Sequence, residues 1–513
     1  LVSDFFCPNA GGVETHIYFL AHCLLQSGHK VIVVTHAYGP RMGVRYLSNG
    51  LKVYYLPFVV AYNGCSLASI TGSLYWYRKI FLREGVQLVH GHSTFSSMAH
   101  EGMFHGWSMG LRTVFTDHSL FGFADASAIL TNKLVLQYSL ANTFSSMAHE
   151  GMFHGWSMGL RTVFTDHSLF GFADASAILT NKLVLQYSLA NVSRVICVSY
   201  TSKENTVLRG GLAASKVSVI PNAINSDLFK PDPHLFYNNP TTVIVLSRLV
   251  YRKGADLLAK VIPHVCAIHP TVRFIIGGEG PKRVDVEEMR ERHGLQERVI
   301  MLGTLPHTQV RDVLVQGQIF LNTSLTEAFC MSIVEAASCG LHVVSTRVGG
   351  IPEVLPEEFI ITTDPIPNRL VTALLKAIRM REHGELMAPE EKHRAVRHMY
   401  YWPDISTRTE SVYAAAMNER PPSWCEGILR YYHNGLGFGI LYIWVALINM
   451  IWLLILDYFD PSKDVEGCDD ISKVKSSHRR NHDVEGCDDI SKVKSSHKRN
   501  HVQGGCNFDP EEQ

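Results

Sequence analysis

Short apolar runs alternate with amphipathic stretches along most of the chain. Runs at 31–35, 53–56 and 86–90 read as buried strands, and the stretches at 13–26 and 67–83 repeat their apolar positions at helical spacing. Further strands are expected at 113–116 and 195–199, and a second set at 243–246, 274–276, 319–321 and 343–344. Strands that alternate with helices predict parallel sheets joined by helical crossovers, an α/β fold. The opening residues Leu1-Val2-Ser3-Asp4-Phe5-Phe6 resemble the tail of one more strand. No Met precedes them, so the chain reads as a fragment in which an N-terminal targeting sequence is not visible.

Several segments interrupt the alternation. A Pro- and Asn-rich stretch, from Pro221-Asn222-Ala223-Ile224-Asn225 to Pro240, separates an N-terminal domain, 1–220, from a second α/β domain, 241–401. Residues 94–142 recur without a substitution as 143–191. Two copies offer one strand too many (162–165 beside 113–116), so one copy is expected to fill the native place while the other loops out. Because the copies are identical, either one, or a hybrid, can supply the site residues. Near the end, 438–456 is apolar apart from Asn449, with Tyr431, Tyr432, Tyr442, Trp452 and Tyr458 at or towards its ends. As a helix it spans roughly 28 Å, close to a bilayer's hydrocarbon thickness. With no later domain to bury it, it reads as a single transmembrane helix. Before it, 402–430 is a helical return segment whose helix at 405–417 packs back onto the first domain. The tail, 460–513, repeats 464–482 as 483–501 with Arg479 replaced by Lys498, and its polar, charged composition reads as disorder.

Composition narrows the function classes. Lys and Arg number 47, equal to Asp and Glu at 47, so no net field draws nucleic acid and no such partner is expected. The 11 cysteines lack CxxC or zinc spacing, as suits a reducing compartment. Asn191-Val192-Ser193 and Asn322-Thr323-Ser324 match the glycosylation tripeptide but read as chance matches. The candidate chemistry gathers just beyond the second set of strands, where ligands bind in an open α/β sheet. Arg248 and Lys253 follow 243–246, and a fork-shaped guanidinium and an ammonium there can neutralise a diphosphate. Gly277-Gly278-Glu279-Gly280-Pro281 follows 274–276 and lets backbone approach a ligand closely. Glu327, in a loop, and Glu335, eight positions on in a helix at 331–339, follow 319–321; their carboxylates can accept hydrogen bonds from vicinal hydroxyls. Gly349-Gly350-Ile351-Pro352-Glu353 follows 343–344. The set suits a nucleotide sugar, while the missing GxGxxG fingerprint argues against a dinucleotide enzyme.

Arg248, Lys253, Glu327-x7-Glu335 and the Gly11-Gly12 loop resemble the retaining glycosyltransferases with two facing Rossmann-like domains, the GT-B fold. Three further stretches narrow this: Val2-Ser3-Asp4-Phe5-Phe6, Thr116-Asp117-His118-Ser119-Leu120-Phe121-Gly122-Phe123-Ala124-Asp125, and Cys197-Val198-Ser199-Tyr200-Thr201-Ser202-Lys203-Glu204-Asn205. Over residues 1 to about 460 the chain resembles the family of catalytic subunits of phosphatidylinositol N-acetylglucosaminyltransferase. It departs at the N-terminus, the duplicated segment and the repeated tail. The resemblance implies transfer of GlcNAc from UDP-GlcNAc to phosphatidylinositol, the first step of GPI-anchor biosynthesis, with retention of configuration. It also implies catalytic domains on the cytosolic face of the endoplasmic reticulum membrane, other membrane subunits as partners, and no metal or other cofactor. Arg248 and Lys253 are then expected to stabilise the departing diphosphate, Glu327 to bind donor-sugar hydroxyls and Glu335 the ribose. Gly11, Gly12 and Gly278 line the donor site. His118, or its copy His167, projects towards the reacting sugar, although a His there serves equally as a helix cap. No DxD pair stands at a strand end, since Asp469-Asp470 and Asp488-Asp489 lie in the tail. Without an evident carboxylate nucleophile, front-face displacement is the expected mechanism. The alternatives are a mannosyl or other lipid-acceptor glycosyltransferase of the same fold, or an inactive membrane-anchored subunit.

Overall fold

The computed structural model describes residues 1–118 and 185–467, apart from 10, 63, 238, 239, 436 and 466. The N-terminal domain runs α1 (Gly12–Gln26), β1 (Ile32–His36), β2 (Gly43–Tyr46), β3 (Lys52–Leu56) and a small hairpin, β4 (Val60–Tyr62) and β5 (Cys65–Ser66). It continues with α2 (Leu74–Glu84), β6 (Leu88–His92), α3 (Ser97–Ser108), β7 (Arg112–Asp117), β8 (Arg194–Cys197), α4 (Tyr200–Gly210) and β9 (Val217–Val219). The opening residues are indeed strand-like. Val2 bridges in parallel to Val34 and to Gly91, and its N–H donates to the His90 carbonyl at 2.8 Å. Val2 thereby joins β2-β3-β1 to β6-β7-β8-β9, with β2 alone antiparallel to its neighbour.

Helix α2 starts later than the apolar spacing from 67 indicates. Ile70 takes a left-handed conformation (φ 60°) and donates its N–H to Glu101 at 2.7 Å, and Ser69 Oγ also bonds that carboxylate. A side chain from α3 thus satisfies backbone that a helical turn would otherwise use.

The duplicated segment enters the fold as a hybrid. Helix α3 and strand β7 come from the first copy, whereas Leu185 and Leu189 of the second copy fill the core beneath them. Strand β7 pairs directly with β8, Val114 opposite Arg194 through Asp117 opposite Cys197, so no third strand stands between them. The second-copy strand at 162–165, His167 and the tail beyond 467 lie outside the described residues.

The second domain is a six-stranded parallel sheet with helices on both faces. Its elements are β10 (Thr242–Leu246), α5 (Ala255–Ile268), β11 (Arg273–Gly277), α6 (Arg283–Arg292), β12 (Val299–Gly303) and α7 (His307–Leu314). After them come β13 (Ile319–Asn322), α8 (Met331–Ser338), β14 (His342–Thr346), β15 (Ile360–Thr363), α9 (Pro367–Glu382) and α10 (Pro389–Met399). The strand order is β12-β11-β10-β13-β14-β15, which puts the ends of β10, β11, β13 and β14, where the sequence motifs lie, side by side. All eight cysteines among the described residues are free, and both sequon asparagines, Asn191 and Asn322, are buried.

Helix α11 (Trp402–Asn418) crosses back to the first domain as the sequence indicates. Its Trp402, Ile405, Val412 and Ala416 share a core with Ile17, Leu20 and Leu24 of α1. After α12 (Trp424–Tyr432), whose Ser423 and Glu426 form a capping box, comes α13 (Phe438–Phe459), with mean hydropathy 2.4. One expectation fails here. The apolar helix does find a surface to bury against: Gly439, Tyr442, Ala446 and Asn449 form one buried stripe against the first domain. Asn449 Nδ2 donates to Ser108 Oγ of α3 at 2.9 Å, and Arg78 of α2 pairs with Asp457 at 2.9 Å. Every third or fourth residue of α13 is therefore committed to protein, while Ile440, Leu441, Trp444, Ile448, Ile451 and Leu454 remain exposed. That exposed apolar surface is consistent with membrane anchoring.

Candidate active site

The second domain's half of the site is built by two interlocked loops. Gly254, at φ 71°, closes the β10–α5 turn so tightly that a Cβ on it would lie 1.8 Å from the Thr323 carbonyl oxygen. The Leu325 N–H donates to the Arg252 carbonyl at 2.9 Å, and Thr323 Oγ1 donates to the Lys253 carbonyl at 3.0 Å. This zip brings Lys253 Nζ onto Glu327 Oε1, which also accepts from Ser324 Oγ at 2.8 Å. Ser324 Oγ reaches Asn322 Oδ1 at 2.9 Å, and Asn322 Nδ2 in turn reaches Ser345 Oγ of β14 at 2.9 Å. The carboxylate is thus positioned by a chain of side chains rooted in two adjacent strands. Arg248, by contrast, is exposed at the end of β10, and none of its hydrogen bonds or ion pairs goes to another described residue.

The glycine turn after β11 has a structural job. Gly278 (φ 133°) and Gly280 (φ 157°) lie against the backbone on which Arg248 sits, and Cβ atoms there would come within 1.9 Å of the Ser247 carbonyl and 2.3 Å of the Leu249 carbonyl. The close approach that demands glycine is therefore to protein backbone. Glu335 stands on α8 as expected, with Glu327 in the loop before it. Its Oε1 is 3.5 Å from His307 Nε2 on α7, and this carboxylate raises the His307 pKa above the ordinary imidazole value.

The first domain contributes the start of α1 and a group of histidines. Gly11 is extended and Gly12 opens the helix, with Glu14 folded back over Gly11; burial raises the Glu14 pKa. His118, half-buried just past β7, stacks on His92 at the end of β6, with His92 Nδ1 3.2 Å from His118 Nε2. His16 of α1 meets the His118 ring edge-on at a centroid distance of 4.7 Å and packs against Trp402. Burial lowers the pKa of all three, His16 to about 4, so they are neutral near pH 7. Sequence reasoning singled out His118 but missed His16 and His92. The signal available for them was His90-Gly91-His92 at a strand end and a histidine on the apolar face of α1.

The two halves touch directly. Glu353, in the short turn after β14, accepts from the Tyr200 N–H at 2.6 Å, the Thr201 N–H at 3.0 Å and Thr201 Oγ1 at 2.7 Å. A carboxylate of the second domain therefore caps α4 of the first, where the helix dipole favours negative charge. Gly350 leaves room for this: a Cβ on it would meet Ser199 Oγ at 2.8 Å.

Two family models match the chain. Residues 36–125 and 129–174 match PIGA (GPI anchor biosynthesis), and 227–394 match Glycosyl transferases group 1. The Homo sapiens member of the phosphatidylinositol N-acetylglucosaminyltransferase catalytic-subunit family is 48% identical over 94% of this chain and 89% of its own length. The chain belongs to this family. The Arabidopsis thaliana member is 46% identical over 92% of this chain and 94% of its own length. The gpi3 subunit of Schizosaccharomyces pombe is 41% identical, covering 94% of each. As a member of the family the chain is a glycosyltransferase, and the word subunit in its relatives' names places them in multi-subunit assemblies. Among solved structures, Anabaena Alr3699/HepE in complex with UDP and glucose superposes with a TM-score of 0.56 at 16% identity, covering 80% of this chain and 98% of that one. Sucrose-phosphate synthase from Thermosynechococcus elongatus gives 0.56 at 19% identity, covering 79% and 93%. Both likenesses establish the expected fold, two facing α/β domains of the GT-B type.

Proposed function

We propose that this chain transfers N-acetylglucosamine from UDP-GlcNAc to phosphatidylinositol with retention of configuration, as the catalytic subunit of a complex in the endoplasmic reticulum membrane. The observation that carries the reading is the Arg248, Lys253 and Glu327 group at the mouth of the second sheet. Lys253 is fixed on the carboxylate there, and Arg248 is left without a partner among the described residues. Arg248 and Lys253 stabilise the charge that develops on the departing diphosphate, an electrostatic role that needs no metal ion. Glu327 holds donor-sugar hydroxyls, Glu335 holds the ribose, and Gly11, Gly12 and Gly278 line the donor site. In front-face displacement the bond from the anomeric carbon to the β-phosphate oxygen breaks. An inositol oxygen bonds to the same face, and its proton passes to the departing phosphate, so that UDP leaves. His118 lies on the acceptor side near the reacting sugar. The docked α13 supports a lipid acceptor, because it fixes the first domain at the bilayer surface, with both catalytic domains cytosolic.

The test is a donor screen with the chain in its membrane complex. UDP-GlcNAc and phosphatidylinositol are expected to give GlcNAc-phosphatidylinositol with an α-linkage, and added chelator leaves the rate unchanged. Product from GDP-mannose in place of UDP-GlcNAc overturns the assignment.

A further inference from the structure

Three neutral imidazoles packed together without a carboxylate are an unusual thing to bury. One ring nitrogen from each of His16, His92 and His118 lies within 4.8 Å of the other two. They come from three separate elements: the first turns of α1, the end of β6 and the residue after β7. Two buried ring nitrogens, His16 Nδ1 and His92 Nε2, have no hydrogen-bond partner among the described residues. His16 is 7% exposed and His92 fully buried, so water does not easily replace that partner. Asn222, which lies beside His16 and His118, leaves its own Oδ1 unpartnered as well. A buried nitrogen left in this way gives up its hydration without a hydrogen bond in return, a cost that the fold's own packing does not offset.

We propose that His16, His92 and His118 form a binding site for one borderline transition-metal ion of the Zn2+ class. Zn2+ takes imidazole nitrogen at about 2.0–2.1 Å in tetrahedral geometry, which sets neighbouring ligand atoms roughly 3.3 Å apart. The His92 Nδ1 to His118 Nε2 separation of 3.2 Å matches one such edge, and side-chain rotation shortens the others from within 4.8 Å. Three protein ligands leave a fourth position for water or an anion. The all-nitrogen set excludes Mg2+ and Ca2+, which take oxygen. The ion ties α1 to the ends of two strands of the first sheet. It stands on the domain opposite Arg248 and Lys253, so the site does not depend on which sugar is transferred or on how the diphosphate is neutralised.

Co2+ is the probe, because its ligand-field absorption reports tetrahedral geometry and because it yields to Zn2+. Added to the detergent-purified full chain, one equivalent is expected to bind with a tetrahedral spectrum, be displaced by Zn2+ and raise the melting temperature. X-ray absorption of the Zn2+ adduct is expected to show nitrogen and oxygen donors only. In H16Q and in H92Q, after circular dichroism confirms the fold, that equivalent weakens about 100-fold or more. Two results overturn the site: sulfur in the coordination shell, or the same equivalent retained in both variants. Failure of the chain to bind any Co2+ overturns it as well.

Discussion

At the residue scale, the two cations of the site differ in what holds them. Lys253 is fixed on Glu327, whereas Arg248 is solvent-exposed at the end of β10. Arg248→Ala is therefore expected to leave the melting temperature unchanged and to raise the transfer barrier by about 3 kcal/mol, on the order of 10²-fold in rate. Arg248→Lys keeps the charge but loses the planar fork and recovers only part of that rate. Steady-state transfer assays beside thermal melts separate the two effects. A variant that unfolds, or that turns over normally, removes Arg248 from the donor site. Glu327 and Glu335 could be picked out from spacing in the sequence. Glu327's union with Lys253 could not, because it depends on two loops far apart in the sequence closing on each other.

At the element scale, the glycines set where the loops run. Gly278→Ala forces a Cβ into the Ser247 carbonyl at a φ of 133°, a conformation that costs an ordinary residue on the order of 1–3 kcal/mol. Relief comes by shifting the Ser247–Leu249 backbone, and a shift of about 1 Å at a catalytic group can cost 10²-fold in rate. The expected outcome is a lowered melting temperature together with a loss of transfer comparable to that of Arg248→Ala. An alanine variant with wild-type stability and rate shows that the turn tolerates a side chain. Motif composition marked this turn as special. That its neighbour is protein backbone became visible only once β10 and β11 were paired. Helix α13 is a similar case. Its apolar run was plain in the sequence, whereas its buried stripe depends on Ser108 and Arg78, far away along the chain.

At the scale of the whole molecule, buried histidines make stability depend on pH. Burial lowers the His342 pKa in the second domain to about 3, with Lys392 and Lys376 adding to the effect, and the His105 pKa in the first domain also to about 3. Because the folded pKa lies below the unfolded value of 6.5, the unfolded chain binds more protons between the two. Stability is fully present above about pH 6.5 and falls as pH drops towards 3, by up to ~1.4 kcal/mol per pH unit for each group. His342→Leu is expected to flatten this decline in denaturant midpoints measured from about pH 7 to pH 4, and an unchanged slope excludes His342 as a source. The duplication offers a second test. Removing residues 143–191 lets the first copy's Leu136 and Leu140 replace Leu185 and Leu189 in the core, since the copies are identical. The shortened chain is expected to fold with equal or higher stability and to bind UDP as the full chain does, by calorimetry. Unfolding, or lost UDP affinity, shows that both copies belong to the working fold.

Local pattern determined the elements that are periodic and self-sufficient: the two parallel sheets, α1, the return helix α11 and the apolar α13. Runs of Val and Ile bounded by glycine have few other ways to be buried. The phosphate-side motifs were legible for the same reason, since each follows its strand within a few residues. Tertiary structure alone decided whatever joins distant segments. It set the order in which the strands lie and which copy of the repeat supplies each part of the first sheet. It also made Glu353 the cap of a helix in the other domain and gathered His16, His92 and His118 into one cluster. None of these contacts has a local signature, because hydrogen bonds and ring packing between separate elements form only when the chain has brought them together.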